Sequence, residues 1–311
     1  MIDMPEQVTT FAPGTVSNLG PGFDVLGLAI DGPGDRVTAR RVPGHQVRIA
    51  SITGDGGKLS LDANANTAGI AAQATLRKAG IDAGIELEIE KGMPIGSGLG
   101  SSAASAVAAA MAVNLLVGSP LRKIELIEPC LEAEAAVSGR HGDNVAPALL
   151  GGLILVRSVD PIDVVRLPVP EGLRVVVVTP VFELSTRLAR SVLPSSIPLQ
   201  AMVRNAANIA TLVAACYSGD LSLLGRCIVD DVVTPARAAL IPGCDAVMAA
   251  AIGAGALGSS ISGAGPSVFA LCHSERSAVQ VGTAMVKAFQ SAGLEASMVV
   301  SLADCPGVRR R

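Results

Sequence analysis

Pro94-Ile95-Gly96-Ser97-Gly98-Leu99-Gly100-Ser101-Ser102-Ala103-Ala104 runs straight into an alanine-rich stretch that continues to Val117, so a glycine-rich bend and a helix start form one unit. Gly96, Gly98 and Gly100 carry no side chain that would hold an anion away from the backbone. Ser101 and Ser102 stand where a helix presents unpaired N–H groups and the positive end of its dipole. The unit reads as a phosphate cradle, with every residue from Pro94 to Ala104 a candidate contact. It is not a Walker loop, because no Gly-Lys-Ser/Thr follows the glycines. Nor is it a dinucleotide fingerprint. The segment before it alternates Ile85, Leu87 and Ile89 with Glu86, Glu88 and Glu90, the pattern of a strand with one wet face, whereas a doubly wound parallel sheet buries both faces. The acidic residue expected about 20 positions on, to hold a ribose, is also missing.

At 311 residues the chain can bury a large core and divides into two lobes. Half of it is apolar, which suits a globular enzyme. The apolar run from Ser102 to Val117 is broken by Asn114 and falls short of the roughly 18 residues of a membrane span, so a buried helix and no membrane partner are expected. The opening Met-Ile-Asp-Met-Pro-Glu lacks a basic start followed by an apolar stretch, which points to the cytoplasm. The six cysteines are scattered without a CxxC pair, so neither zinc nor disulfides are indicated. A net charge of -3, no Trp and one Tyr leave little with which to grip nucleic acid, and Arg309-Arg310-Arg311 reads as a solvated tail.

Periodicity predicts strands over 37–41, 47–52, 85–90 and 153–156, and helices over 66–79, 102–117 and 121–136, in a first lobe of residues 1–160. After Pro161, Pro168 and Pro170, a second lobe of residues 161–311 holds strands over 173–179, 267–272 and 296–302, with helices over 199–218, 245–254 and 275–292. Strands and helices mix without regular βαβ alternation, so the fold class is α+β.

The cradle segment resembles the second signature of the GHMP kinases, which phosphorylate galactose, homoserine, mevalonate and related small alcohols with ATP. Ala12-Pro-Gly-Thr-Val-Ser-Asn18-Leu-Gly-Pro-Gly-Phe-Asp24 resembles the first signature in its homoserine kinase form, and Ile261-Ser-Gly263-Ala-Gly265-Pro-Ser-Val-Phe269 resembles the third. His141-Gly-Asp-Asn144-Val-Ala-Pro and Leu184-Ser-Thr186-Arg-Leu-Ala-Arg190 are similar to the same branch of the family. The resemblance implies a two-lobed GHMP architecture, an N-terminal lobe like the second domain of ribosomal protein S5 and a C-terminal ferredoxin-like lobe. It also implies ATP and L-homoserine as substrates, magnesium as the metal, O-phospho-L-homoserine as product, a role in threonine synthesis and a homodimer.

The same resemblance places the metal on Ser102 and Glu134, which fits the oxygen ligands magnesium prefers. Glu132, two residues away, remains a competitor for that carboxylate. Arg190 and Arg237 match positions that clamp a substrate carboxylate, a task suited to the planar guanidinium fork, and Arg187 competes with them. Asp24 would meet the substrate ammonium and Asn18 would help hold its polar end, while His141 and Asn144 would approach from the other wall, with Asn144 touching the reacting hydroxyl. Thr186 would line the path to the terminal phosphate, or cap a helix starting at Arg187. Asn66 matches a position near adenine and is equally an N-cap. No lysine falls in a matching motif. The pattern implies catalysis by alignment, with the hydroxyl proton passing to the transferred phosphate or to water.

Overall fold

The computed structural model describes residues 5–311; the opening tetrapeptide, part of the stretch read above for a leader, lies outside them. Two sheets organise the chain. The first holds β1 (Gln7–Ser17), β2 (Leu26–Val42), β3 (Val47–Thr53), β4 (Gly84–Glu90), β5 (Leu153–Val159), β6 (Ile162–Leu167) and the two-residue β11 (Arg309–Arg310). Its pairings are antiparallel apart from β3 with β4, which the helix α1 (Thr67–Ala79) connects. The Val, Ile and Leu side chains of its inner face pack on α2 (Ser101–Leu116) and α4 (Gly142–Leu150), and α3 (Ile127–Ala135) packs against these helices and α1. Each such burial stabilises by roughly 1.5–3 kcal/mol.

Helix α2 is the axle of this lobe. Alanine has the highest helix propensity, and a helix apolar on all sides is stable only when surrounded. Twelve of its residues are buried, and α1, α3, α4, β1 and β2 enclose it. A helix so enclosed fixes the position of its own first turn, which is where the glycine-rich bend ends.

The second sheet runs β10-β7-β9-β8, from β7 (Arg174–Pro180), β8 (Gly258–Ile261), β9 (Val268–Cys272) and β10 (Ala296–Leu302), all antiparallel. Between β7 and β8 lie α5 (Thr186–Ser191), α6 (Leu199–Ser218), α7 (Leu221–Arg226), α8 (Val233–Ala238) and α9 (Cys244–Gly253), and α10 (Glu275–Ser291) precedes β10. Helix, two strands, helix and strand after β7 is the βαββαβ order of a ferredoxin-like lobe. The two-lobed α+β architecture is therefore as expected. The passage between sheets falls between Leu167 and Arg174, because β6 still pairs with β5, and β11 returns to the first sheet at the end of the chain.

Three differences from the expected elements have local causes. Pro13 and Gly14 disguise β1, and the structure accommodates them with a register shift against β2 at that step. No helix is expected over 142–150, where Gly142 and Pro147 disfavour one, yet burial of Val145, Ala146, Ala148 and Leu149 holds α4 together. The expected helix over 121–136 is divided into a short 3₁₀ turn at Lys123–Leu126 and α3. All six cysteines are buried free thiols, and among the described residues no helix is long and apolar enough to cross a membrane.

Candidate active site

The first signature, the glycine-rich bend, α5 and the third signature line one cleft of about 630 Å³ between the two sheets. At its centre the bend turns its carbonyls into the protein. Leu184 N donates to Gly96 O, Ser267 Oγ to Ser97 O at 2.6 Å, Ser262 Oγ to Gly98 O at 2.7 Å and Thr15 N to Leu99 O at 2.9 Å. With four successive carbonyls held from behind, the intervening amides donate no backbone hydrogen bond and are the donors left for a ligand. Helix α2 starts at Gly100 with no side-chain cap, so the first-turn amides of Ser101, Ser102 and Ala103 also await an outside acceptor. Only glycine fits at Gly98: its φ is +78°, and a Cβ there would lie 2.5 Å from Ser262 O. This is an anion cradle assembled from backbone.

Beside it, Glu134 accepts from Ser138 Oγ at 2.9 Å, with Ser102 lining the same cleft. Glu134 is 5% exposed, and burial raises its carboxyl pKa against the pull of Ser102, Ser138 and Lys91. Its Oε1 has no partner. An orphaned, buried carboxylate oxygen next to a hydroxyl and a phosphate cradle fits a hard divalent cation that takes its remaining oxygens from phosphate and water. Glu132 instead pairs on the surface with Arg77. The two carboxylates thus have different surroundings, and only Glu134 faces the cleft.

At the other end lies a cluster of charge. Arg190 forks onto Asp24 at 2.8 and 3.2 Å, and His141 Nδ1 stands 3.3 Å from the same carboxylate. Burial lowers the imidazole pKa, with Asp24 opposing. Arg237 is 2% exposed; its Nε donates to Ala189 O and its Nη1 to Gly263 O, and it has no carboxylate partner among the described residues. Burial, then the charge of Arg190, brings its pKa down to about 10. A buried guanidinium without an anion is an anion site. The ring of Phe23 lies 5.3 Å from Arg190 and 5.2 Å from Arg237, a single aromatic face between two cations. Asn18 holds the loop by donating to Gly263 O and accepting from Asp24 N, with φ of +71° and +59° at Asn18 and Asp24.

Asn144 sits between the two ends. Its Oδ1 accepts from Thr15 Oγ1 at 2.7 Å and its Nδ2 donates to Ser17 Oγ at 3.2 Å, which fixes the amide's orientation. Asn66 is the N-cap of α1, accepting from Ala68 N, and it lines the cleft as well. The expected cap role of Thr186 is corrected: α5 begins one residue earlier, so Ser185 is the cap, accepting from Leu188 N, and Thr186 faces the cleft. Arg187 also reaches the cleft but is exposed, unlike Arg237.

Sequence reasoning missed four residues here. Phe23 and Asp143 lie inside quoted motifs without an assigned role; burial, then Asp24, pushes the Asp143 carboxyl up to about 7. Asp35 and Lys91 form a buried ion pair beneath the cradle. The one signal for that pair was an acid in strand β2 followed by alternating apolar residues.

Comparison with known proteins gives the family and the fold. The family model for the GHMP kinases N terminal domain matches residues 66–152, and that for the GHMP kinases C terminal matches residues 212–291. The chain is 48% identical to a homoserine kinase of Arabidopsis thaliana, over 97% of this chain and 84% of the relative. It is 45% identical to one of Chlorobaculum tepidum, with 97% of each covered. A crystal structure of homoserine kinase from Cytophaga hutchinsonii superposes with a TM-score of 0.97 at 46% identity, covering 100% of this chain and 99% of that one. A mevalonate kinase from L. major shares the fold, with a TM-score of 0.70 at 18% identity.

Proposed function

Since the chain belongs to the GHMP kinase family, we propose that it transfers the terminal phosphoryl group of ATP to the side-chain hydroxyl of L-homoserine, giving ADP and O-phospho-L-homoserine for threonine synthesis. One observation carries the choice of acceptor. The cleft places an anion cradle at one end, and at the other a buried, unpaired guanidinium next to an Asp24–Arg190 pair. Such an end accepts a zwitterion. The substrate carboxylate is shared by Arg190 and Arg237, and the ammonium takes over Asp24, so the fork between Asp24 and Arg190 is exchanged for two new ion pairs. A neutral alcohol would leave Arg237 buried and unpaired.

The reaction needs placement more than covalent help, because the transition state spreads negative charge over the transferred oxygens. The bend's amides and the first turn of α2 meet that charge without reorganising. Asn144, oriented by Thr15 and Ser17, aims the acceptor hydroxyl, and Thr186 lines the path to the terminal phosphate. The bond from the hydroxyl oxygen to the terminal phosphorus forms as the bond to the bridging oxygen of ADP breaks. The hydroxyl proton leaves with the transferred phosphate or to water. Holding the reactants in line lowers the barrier by on the order of 7 to 11 kcal/mol. Magnesium held by Glu134 and Ser102 would neutralise phosphate charge. Asn66 borders the nucleotide's base. A cytoplasmic homodimer is part of the same proposal and is supported by the resemblance.

The test is a coupled ADP-release assay with ATP, magnesium and a panel of L-homoserine, mevalonate, galactose and shikimate. Turnover confined to L-homoserine is expected. Faster turnover of any neutral alcohol would overturn the reading.

A further inference from the structure

The cradle has no lysine of its own, yet a lysine stands directly behind it. In the antiparallel register of β2 and β4, Arg36 faces Glu90, so the next step past the end of the ladder brings Asp35 opposite Lys91. Both side chains are out of water, at 0% and 3% exposure. Two charges buried this far persist only with good geometry and full hydrogen bonding. Both conditions hold. Lys91 Nζ donates to Asp35 Oδ2, to Ser105 Oγ at 2.7 Å and to Ser101 O at 2.9 Å, which uses all three of its protons. Asp35 accepts further from Gly92 N at 3.1 Å and from Ser105 Oγ at 2.7 Å, and Ser101 Oγ lies 3.4 Å away.

The positions of these partners decide what the pair does. Gly92 is where the chain leaves β4 for the bend, Ser101 is where it enters α2, and Ser105 is one turn further on. One carboxylate and one ammonium therefore join the two ends of the phosphate-binding bend to each other. Lys91 has no donor left to reach a nucleotide, so the ammonium acts on the bend and not on the phosphate.

We propose that Asp35 and Lys91 are positioning residues for ATP: a buried staple that closes the ends of the 92–101 loop and so sets the amides of the cradle, and Ser102 beside them, at the spacing a polyphosphate requires. The staple touches neither the acceptor nor its arginine pocket. Its removal should act on the nucleotide together with its metal, because Lys91 also acts on Glu134, and not on the acceptor. This inference rests on the kinase reading above, and the experiment separates the two.

Binding of a non-hydrolysable ATP analogue is measured by calorimetry with magnesium in wild type, Ser105→Ala and the double variant Asp35→Ala/Lys91→Met, alongside KM for both substrates. Ser105→Ala removes the hydroxyl that bridges both charges and is too small a change to threaten the fold. It should weaken analogue binding about tenfold, as the loss of a hydrogen bond to charged groups does. The double variant removes both charges without orphaning either, so it should melt near wild type while ATP KM rises about 100-fold, the effect of a misplaced binding group. In both, homoserine KM at saturating ATP should stay unchanged. Amide hydrogen exchange should quicken in the 92–102 segment and not in α9 or α10. Wild-type analogue affinity in Ser105→Ala, or in a folded double variant, overturns the staple. So does a parallel rise in homoserine KM, which marks general loosening. Absence of analogue binding in the wild type sinks the kinase reading instead.

Discussion

Replacing Arg237 by Met tests the acceptor pocket where its energetics are clearest. The substitution keeps an apolar stem of similar reach and deletes the charge. In the free protein that charge is costly: its pKa falls from the ordinary 12.5 to about 10 through burial and the repulsion of Arg190. At about 1.36 kcal/mol per pKa unit, this corresponds to roughly 3 kcal/mol of unfavourable charge burial. A substrate carboxylate seated between Arg190 and Arg237, as proposed, would relieve that cost. Losing a hydrogen bond to a charged group costs about 1.5–3 kcal/mol, which converts to a rise in homoserine KM of roughly 10- to 150-fold. ATP KM should not move, because the hydrogen bonds of Arg237 go to Ala189 O and Gly263 O and none goes to the cradle. Stability should change little. Ala189 O and Gly263 O lose a donor each, but the buried charge is gone, so a shift of no more than a few degrees in Tm is expected. The assay is ADP release with each substrate varied in turn, backed by calorimetry of homoserine binding. Unchanged homoserine KM, or equal rises in both KM values, would refute the reasoning.

Three further outcomes follow from the same geometry. Glu134→Gln should raise the magnesium concentration needed for half-maximal rate at least tenfold, as expected for loss of a charged ligand, while Glu132→Gln, at a surface pair, should leave it unchanged; magnesium titration of initial rates distinguishes them. Phe23→Leu removes the ring that both guanidiniums face, and homoserine KM should rise about fivefold, the scale of a partly desolvated cation–π contact, with Phe23→Tyr near wild type. Asp143 has a folded pKa of about 7, above its ordinary 3.8. Its stabilising contribution is therefore fully present below pH about 3.8 and is lost as pH rises through about 7. Across that window Asp143→Asn, neutral throughout, should flatten the pH dependence of Tm, and an unaltered slope would count against the assignment.

How much was legible in the sequence depended on the range over which each feature is determined. The cradle was readable because glycines, serines and an apolar helix follow one another in the chain, and the strand before it alternates cleanly. The three long helices of the second lobe, α6, α9 and α10, followed from periodicity for the same reason, whereas the six-residue α7 and α8 did not. Helix α4 was not readable, because Gly142 and Pro147 disfavour a helix and only tertiary burial decides otherwise. The Asp35–Lys91 staple was invisible for a different reason. It exists through the register of β2 against β4, and a one-residue slip of that register would place the two side chains on opposite faces. The choice between Glu134 and Glu132 likewise needed the direction in which α3 turns each carboxylate, one to the cleft and one to Arg77. Arg237 shows the limit of motif reading: its assignment came by resemblance, while its buried, unpaired state, which makes it an anion site, is a property of packing alone.

The most direct measurement is a crystal structure of the protein with a non-hydrolysable ATP analogue, magnesium and L-homoserine. The account predicts the triphosphate against the amides between Gly96 and Ser102, the amino-acid carboxylate between Arg190 and Arg237, and the ammonium on Asp24 in place of the Arg190 fork. Nucleotide phosphates bound elsewhere, or an amino-acid carboxylate out of reach of both guanidiniums, would contradict it.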